Sequence, residues 1–313
     1  MRRFENISLA YECDQPTLER AAALAKDQRA QLTLVYAIKA VADEWAQVSV
    51  GRTAVDVREL LYREARDRVR EAARSVHALG VRPATRLLIG EPSLEIVRDV
   101  LEHGRDLVIV TADKSATGRR KLAGLAGRLI RKCPVPLLVM KPGKRSRFRR
   151  VVAAVDPQST GDSRDTLNHQ VLELASAVAE LNGAELYVVH AWLMVGDSTL
   201  WGRSGLSREE IASLTRSVAD ERRSAVAALT NPYAAAEPRL HLLKGNAGDV
   251  IPRFVKSRRA DLLVMGTVCR TGLPGFVIGN TAERVLSSVD CSVLVVKPDG
   301  FVSPVAEQVA RAR

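Results

Sequence analysis

The chain repeats itself at domain length. Three segments of its first half return in its second half, in the same order and at a separation of about 155 residues. RDLVIVTA (105–112) returns as ADLLVMGT (260–267), RLLIGEPSLEIV (86–97) as HLLKGNAGDVI (241–251), and PLLVMKP (136–142) as SVLVVKP (292–298). Because both halves must then share one fold, we predict two tandem domains, at residues 1–143 and 148–300, and a C-terminal tail at 301–313.

Within each half, short apolar runs alternate with longer amphipathic segments, which is typical of β-α-β units around a parallel sheet. Predicted strands lie near Ile7 and at 32–38, 86–89, 107–110 and 137–140, and in the second half at 151–155, 186–191, 240–243, 262–265 and 293–296. A predicted helix covers 167–181, and a second apolar stripe runs from Ile211 to Leu229. The predicted fold class is α/β, with two tandem open parallel-sheet sandwiches of about five strands each.

Composition favours a cytoplasmic globular protein. Of 313 residues, 46% are apolar and 27% charged. No apolar run approaches the roughly 18 residues of a membrane span, and no signal peptide is evident at the first residues. The four cysteines lack CxxC spacing and fit a reducing compartment. The five histidines are scattered, so no metal site is expected.

Positive charge is concentrated in the first half. Residues 1–150 hold 30 Lys and Arg against 18 Asp and Glu, a difference of +12, whereas the remaining 17 basic and 18 acidic residues give −1. The basic half could bind nucleic acid, an acidic membrane surface or a small anion; the alternative is a solvated helix face of paired charges. Nucleic acid is not the expected partner, because aromatic residues for base stacking make up only 4% of the chain.

A glycine-rich segment follows the predicted strand at 262–265. Ligands of open parallel sheets bind beyond the carboxyl ends of the strands, so this crossing, MGTVCRTGLPGFVIGNTAERVL (265–286), is the candidate site. Its four glycines allow positive φ and close backbone approach. We predict that Asn280 caps the next helix with Glu283 as its reciprocal partner, and that Arg270 meets an anion. The alternative is a plain tight turn.

These residues resemble the nucleotide-binding signature of the universal stress proteins, Gly-x2-Gly-x9-Gly-(Ser/Thr). GTVCRTG, GNTAE and CSVLVVKP are the specific matches, and the whole chain is similar to the tandem, E-type members of that family. The resemblance implies an adenine nucleotide alpha hydrolase-like sheet of order 3-2-1-4-5, with ATP between the first and fourth strands. It also implies pairing through the fifth strands, where Pro134 and Pro136 suit an edge, to give an internal pseudo-dimer, with a homodimer as a further option.

The resemblance implies a set of cofactor-binding residues in the second half and neither a catalytic residue nor a metal ligand. They are Asp156, Ala191, Gly266, Thr267, Cys269, Arg270, Gly279, Asn280 and Thr281. Cys269 stands where the family has its second glycine, and Asn280 replaces the Ser/Thr. Asp156 has an alternative role as a turn aspartate before Pro157, and His190 is expected to be structural.

The first half departs further from the signature. Thr111 and Lys114 occupy the positions of the first two glycines. Five cations crowd the loop and the following helix start: Lys114, Arg119, Arg120, Lys121 and Arg128. They either attract another anion or a partner protein, or are solvated in a domain that has lost nucleotide binding. Asp14 is the expected counterpart of Asp156.

The expected function is that of a cytosolic stress-response protein. It would bind ATP or another adenine nucleotide or related small ligand, with or without Mg²⁺, mainly in the second domain, and act by conformational or partner signalling. Because no Walker lysine or Gly-x-Ser-x-Gly motif is present, we do not expect an enzyme beyond a weak ATPase. Two alternatives stay open: a scaffold or lipid and small-molecule sensor that binds no nucleotide, and an enzyme or electron carrier of the adenine-nucleotide group.

Overall fold

The structure is a computed structural model that describes residues 4–10, 14–42, 47–50, 53–112, 124–142, 147–157, 162–194, 207–267 and 279–306. The chain divides into two compact units. One contains Arg3–Arg147 together with Val302–Arg313, and the other contains Phe148–Phe301 together with Met1–Arg2. The segment after Phe301 therefore belongs to the unit formed by the first half, and Val305 is buried there.

The first half alternates strands and helices. In chain order its elements are β1 (Asn6–Ala10), α1 (Gln15–Gln28), β2 (Gln31–Ile38), β3 (Gln47–Val50), β4 (Thr53–Asp56), α2 (Val57–Ala78), β5 (Ala84–Ile89), α3 (Pro92–His103), β6 (Leu107–Thr111), α4 (Leu125–Lys132) and β7 (Leu137–Met140). The antiparallel hairpin of β3 and β4 is an addition to the predicted elements.

The second half follows the same plan. Its elements are β8 (Arg150–Ala154), α5 (Asp162–Asn182), β9 (Glu185–Trp192), α6 (Arg208–Thr230), a 3-10 helix (Asn231–Ala236), β10 (Arg239–Lys244), α7 (Ala247–Ser257), β11 (Leu262–Gly266), α8 (Asn280–Ser288) and β12 (Ser292–Val296). Helix α6 begins with a capping box, in which the Ser207 hydroxyl accepts from the Glu210 amide and the Glu210 carboxylate accepts from the Ser207 amide.

Both sheets are parallel and have the predicted strand order. In the first half the order is β5-β2-β1-β6-β7, and in the second it is β10-β9-β8-β11-β12. With the β3–β4 hairpin set aside, each reads 3-2-1-4-5 along its half, which confirms the expected fold class. The first strand therefore lies between the second and fourth strands, and the strand order reverses beside it.

The central strands have continuous apolar runs, so they present apolar side chains on both faces of the sheet, and both faces are buried. All residues of β1 after Asn6 are buried, and Val151, Val152 and Ala153 of β8 are fully buried. Helices cover both faces of such sheets, so continuous apolar runs are expected in them. The outer strands β5 and β10 are only partly buried and carry charged residues, Arg86 in β5 and Arg239 and Lys244 in β10.

An aspartate fixes the start of the first strand in each half. Asp106 accepts hydrogen bonds from the backbone amides of Glu5 (2.6 Å) and Asn6 (3.1 Å). Asp261, its equivalent in the repeat, accepts from Arg149 (2.8 Å) and Arg150 (3.1 Å). Each carboxylate precedes the fourth strand, so it aligns the first and fourth strands at their amino ends.

Candidate functional site

The carboxyl ends of β8, β9 and β11 lie side by side in the second half. Ala154 of β8 pairs in register with Val189 of β9 and with Met265 of β11. This register places Ala191 and Gly266 at the ends of the two strands that flank β8, with Asp156 and Thr267 on the segments that leave the sheet. Four of the predicted binding residues are therefore brought to one edge, at the reversal of strand order.

The backbone at Asp156 is held by a side chain of α5. The Asn168 side-chain oxygen accepts from the Asp156 amide, and its nitrogen donates to the Asp156 carbonyl, each at 2.9 Å. Asn168 is buried, whereas the Asp156 side chain is 69% exposed. The reciprocal bonds fix the direction of the chain after β8 and leave the carboxylate facing solvent.

His190 is buried beneath this edge, next to Asp156. Its Nδ1 lies 3.2 Å from the Val155 carbonyl and 3.9 Å from the Asp156 carboxylate, and the residue is 1% exposed. A carbonyl only accepts, so Nδ1 carries the proton and Nε2 is an acceptor. Burial lowers the pKa of His190, with a smaller contribution from Arg222, against opposing effects of Val155 and Asp156. The ring is therefore neutral and has a structural contact, as expected.

Thr267 carries a buried hydroxyl without a hydrogen-bond partner in the part of the chain that the structure describes. The residue is 0% exposed, and its amide donates to the Val296 carbonyl of β12 at 3.0 Å. A hydroxyl offers one donor and two acceptor sites, and buried polar atoms are nearly always paired. This unused capacity lies at the first residue after β11.

Gly266 is required by packing. Leu167 of α5 fills the position that a Cβ would take, with its Cδ2 atom 2.6 Å from that point. Gly266 has no positive φ, and Gly279 has a φ of −56°. The expectation that these glycines provide left-handed backbone is therefore wrong for both.

Helix α8 starts differently from the prediction. Gly279 is its N-cap, and Asn280 is its first helical residue, without a side-chain capping bond at this end. The predicted capping of α8 by Asn280 with Glu283 is thus wrong, because the helix begins one residue before Thr281 and already includes Asn280. Asn280 and Thr281 are exposed there. Cys269 and Arg270 lie outside the described residues.

The first half uses its corresponding residues for other purposes. The Asp14 side chain caps α1 by accepting from the Thr17 amide, and the register of α1 with α5 matches Asp14 to Asn168. Its assignment as the counterpart of Asp156 is therefore wrong. Thr111 ends β6, and Arg128 of α4 lies 3.4 Å from the Glu91 carboxylate. The other four predicted cations, at positions 114 and 119–121, lie outside the described residues.

Sequence reasoning missed Leu167 and Asn168. Both lie in a segment whose apolar periodicity predicts a helix, and nothing in that pattern distinguishes a residue that faces the strand ends. A signal existed for Asn168 alone, since a polar residue on the buried face of a helix requires a partner.

Within the described ranges, no group of three or more His, Cys, Asp or Glu side chains could hold a metal ion. No helix in those ranges is long and apolar enough to cross a membrane.

The class of the protein is defined by two doubly wound sheets of strand order 3-2-1-4-5. In each sheet, the carboxyl ends of the first and fourth strands meet where the strand order reverses. The universal stress protein family matches residues 4–141 and 147–297. The chain belongs to this family of stress-response proteins and carries two of its domains in tandem.

Individual relatives agree with this assignment. Universal stress protein E of Escherichia coli K12 is 28% identical over 220 residues, 68% of this chain and 67% of the relative. The universal stress protein E homolog of Haemophilus influenzae is 28% identical over 205 residues, and the match spans 65% of each chain. Neither these names nor the family description includes an enzymatic activity.

Solved structures extend the likeness to nearly the whole chain. A functionally unknown protein from Pseudomonas aeruginosa PAO1 has a TM-score of 0.71 at 25% identity, and the match covers 98% of both chains. A universal stress protein from Archaeoglobus fulgidus has a TM-score of 0.63 at 17% identity, with 95% of this chain and 98% of that chain covered. The second likeness shows the fold alone.

Proposed function

We propose that the second half binds ATP or a related adenine nucleotide at the strand ends of β8 and β11. Support comes from the glycine signature and from the location of Asp156, Ala191, Gly266 and Thr267 at one edge of the sheet. The bound state would act through a change in conformation or in partner binding. Pairing through the fifth strands of the tandem domains remains a prediction.

The observation that carries the proposal is the hydroxyl of Thr267. It is withdrawn from water and has no partner among the described residues, which costs about 1–3 kcal/mol relative to a satisfied group. A ligand oxygen or hydroxyl in the crevice would supply the missing bond.

The arrangement also suggests which part of the site would bind the ribose and which part would bind the phosphates. The Asp156 carboxylate is exposed on a rigid backbone and can accept from ligand hydroxyls, such as those of a ribose. At the start of α8, the amides of Gly279 and Asn280 have no partner among the described residues, and together with the positive end of the helix dipole they suit the phosphates. Mg²⁺ would be carried in with the phosphates, because no protein cluster for it occurs among the described residues.

Calorimetry with ATP and Mg²⁺ on the intact protein tests the proposal. We expect one site, and we expect Thr267→Val to weaken binding about tenfold because one buried hydrogen bond is lost. Thr111→Val is the matched control, since the Thr111 hydroxyl is also buried without a described partner at the end of the fourth strand of the other half. The control should bind like the wild type.

The same substitution has an opposite effect on the empty protein. Thr267→Val removes a hydroxyl without a described partner and should leave the ligand-free melting temperature equal or higher. Wild-type protein that gives no heat with ATP, ADP or AMP would refute nucleotide binding and favour the scaffold or sensor alternative.

A further inference from the structure

The side of Gly266 that lacks a Cβ is occupied by the protein itself. A Cβ at this position would lie 2.6 Å from Leu167 Cδ2, 2.9 Å from Cγ and 3.2 Å from Cδ1. Leu167 is 4% exposed and belongs to α5, which packs on both β8 and β11. The leucine thus fills the space that a bare glycine at the end of β11 would otherwise offer to a ligand.

Leu167 is held in this place by its chain neighbour. Asn168 makes two hydrogen bonds of 2.9 Å to the backbone of Asp156, and the Leu167–Asn168 pair therefore contacts the chain at the ends of both β8 and β11. These are the two strands that flank the proposed nucleotide crevice. A leucine on a freely moving segment would yield to a ligand, whereas this one is anchored.

The first half differs at the position equivalent to Gly266. Thr111 stands there at the end of β6, so the fourth strand of that half ends in a residue that has a Cβ.

We infer that Leu167 is a specificity-determining residue, which restricts the size of the ligand group that can lie against Gly266. This inference rests on the proposed nucleotide site and deepens it. The leucine limits the affinity for ATP, whose phosphates approach this end of β11. Adenosine, which has no phosphate, is affected less.

Truncation of the leucine tests the inference on the full chain. Leu167→Ala should bind ATP about tenfold more tightly in calorimetry, because the steric conflict is removed. Its affinity for adenosine should change less than its affinity for ATP. Leu172→Ala is the matched control: it deletes the same atoms from a fully buried leucine on the same helix, and its ATP affinity should equal that of the wild type.

Melting temperatures test the contact between Leu167 and Gly266 in the absence of a ligand. Gly266→Ala should lower the melting temperature of the wild type, since its Cβ would collide with Leu167, and should lower it much less in the Leu167→Ala background. The Leu172→Ala background should show the full decrease. Equal decreases in all three backgrounds would overturn the contact on which the inference depends.

The binding outcomes separate the inference from the proposed function. If the wild type binds ATP and Leu167→Ala does not bind it more tightly, the inference is overturned and the proposed function stands. If only Leu167→Ala binds, the inference stands and nucleotide binding by the native protein is overturned. If neither protein binds ATP, both are overturned.

Discussion

A single imidazole shows how burial and hydrogen bonding set chemistry at the residue scale. The Val155 carbonyl fixes the proton of His190 on Nδ1, and burial then disfavours a second proton on Nε2. The ring therefore stays neutral although a carboxylate lies 3.9 Å away. Its electrostatic state follows from its burial in β9 and from its contact with Val155 rather than from its sequence neighbours.

This depressed pKa predicts acid lability. Above about pH 6.5 the imidazole is neutral in both the folded and unfolded protein, so His190 adds no pH dependence. Below that value the unfolded chain takes up a proton that the folded ring resists. Stability therefore falls as pH decreases from about 6.5 to the lowered folded pKa, with a slope of up to about 1.4 kcal/mol per pH unit.

Unfolding by urea between pH 8 and 5 would measure the effect. His190→Gln retains a donor for the Val155 carbonyl and should flatten the decline below pH 6.5. His241→Gln should flatten it as well, since burial, Arg258 and Arg239 lower the pKa of His241. His77→Gln, at an exposed position of α2, is the control. If His190→Gln declines as steeply as the wild type, the assignment fails.

At the scale of single elements, the aspartates that precede β6 and β11, Asp106 and Asp261, hold the starts of the adjacent strands β1 and β8 by hydrogen bonds. The Asp261 carboxylate accepts from two backbone amides at the start of β8, those of Arg149 and Arg150. Asp261→Ala should therefore lower the free energy of unfolding by about 1–3 kcal/mol.

Asp261→Asn separates hydrogen bonding from charge, since its amide oxygen can still accept from both Arg149 and Arg150. We expect it to recover most of the stability lost in the alanine variant, as measured by urea unfolding at pH 7. Equal losses in the two variants would show that the negative charge, rather than the acceptor, stabilises the strand.

Elements that depend on a single local signal, such as a continuous apolar run, could be predicted from the sequence. All ten strands of the parallel sheets appear at the predicted apolar runs; for example, β11 was expected at 262–265 and covers Leu262–Gly266. The β3–β4 hairpin was missed because each of its strands has only four residues, although Gln47–Val50 alternates polar and apolar residues. The cap of α8 was predicted at Asn280 because its side chain suits an N-cap, but the N-cap is Gly279, one residue earlier in the chain.

The site could be predicted only in outline, for a related reason. Strand ends follow from apolar runs, so the meeting of Asp156, Ala191 and Gly266 was foreseeable. The contacts of α5 with those ends depend on how a helix lies across a sheet, which its periodicity does not define. Leu167 and Asn168 became visible only in three dimensions.

At the scale of the whole molecule, the two halves share a topology but differ in what lies under their outer strands. The first half has a buried ionic network: Asp99, 2% exposed, lies 3.1 Å from Arg105 Nε and 2.7 Å from Arg86 Nε. Arg105 also donates to Asn6 and Thr33. Arg86 also lies 2.8 Å from His103 Nε2, and His103 Nδ1 lies 3.1 Å from the Asp99 carbonyl.

The equivalent positions of the second half are aromatic. Phe254 replaces Asp99, His241 replaces Arg86, Tyr187 replaces Thr33 and Ala260 replaces Arg105. The rings of His241 and Phe254 have centroids 4.9 Å apart, and Arg258 lies 5.4 Å from the centroids of Phe254 and Tyr187. The same positions of the fold are thus occupied by paired charges in the first half and by aromatic rings with a nearby cation in the second.

The ionic corner should be the more fragile under substitution. Asp99→Asn leaves Arg105, 7% exposed, as a buried cation without its carboxylate and should destabilise the first half by about 3–5 kcal/mol. Replacing both charges by apolar residues, as in Asp99→Leu with Arg105→Met, should recover much of that loss, because no buried charge then remains.

Hydrogen exchange would show where this stability is lost. In Asp99→Asn, amides of β1, β2 and α3 should exchange faster, while those of β8, β9 and α7 keep their protection, because the substituted corner belongs to the first unit alone. Exchange that accelerates equally in both halves would mean that the tandem domains unfold as one cooperative body. In that case the ionic contacts of Asp99 would also contribute to the stability of the second domain, which holds the proposed nucleotide site.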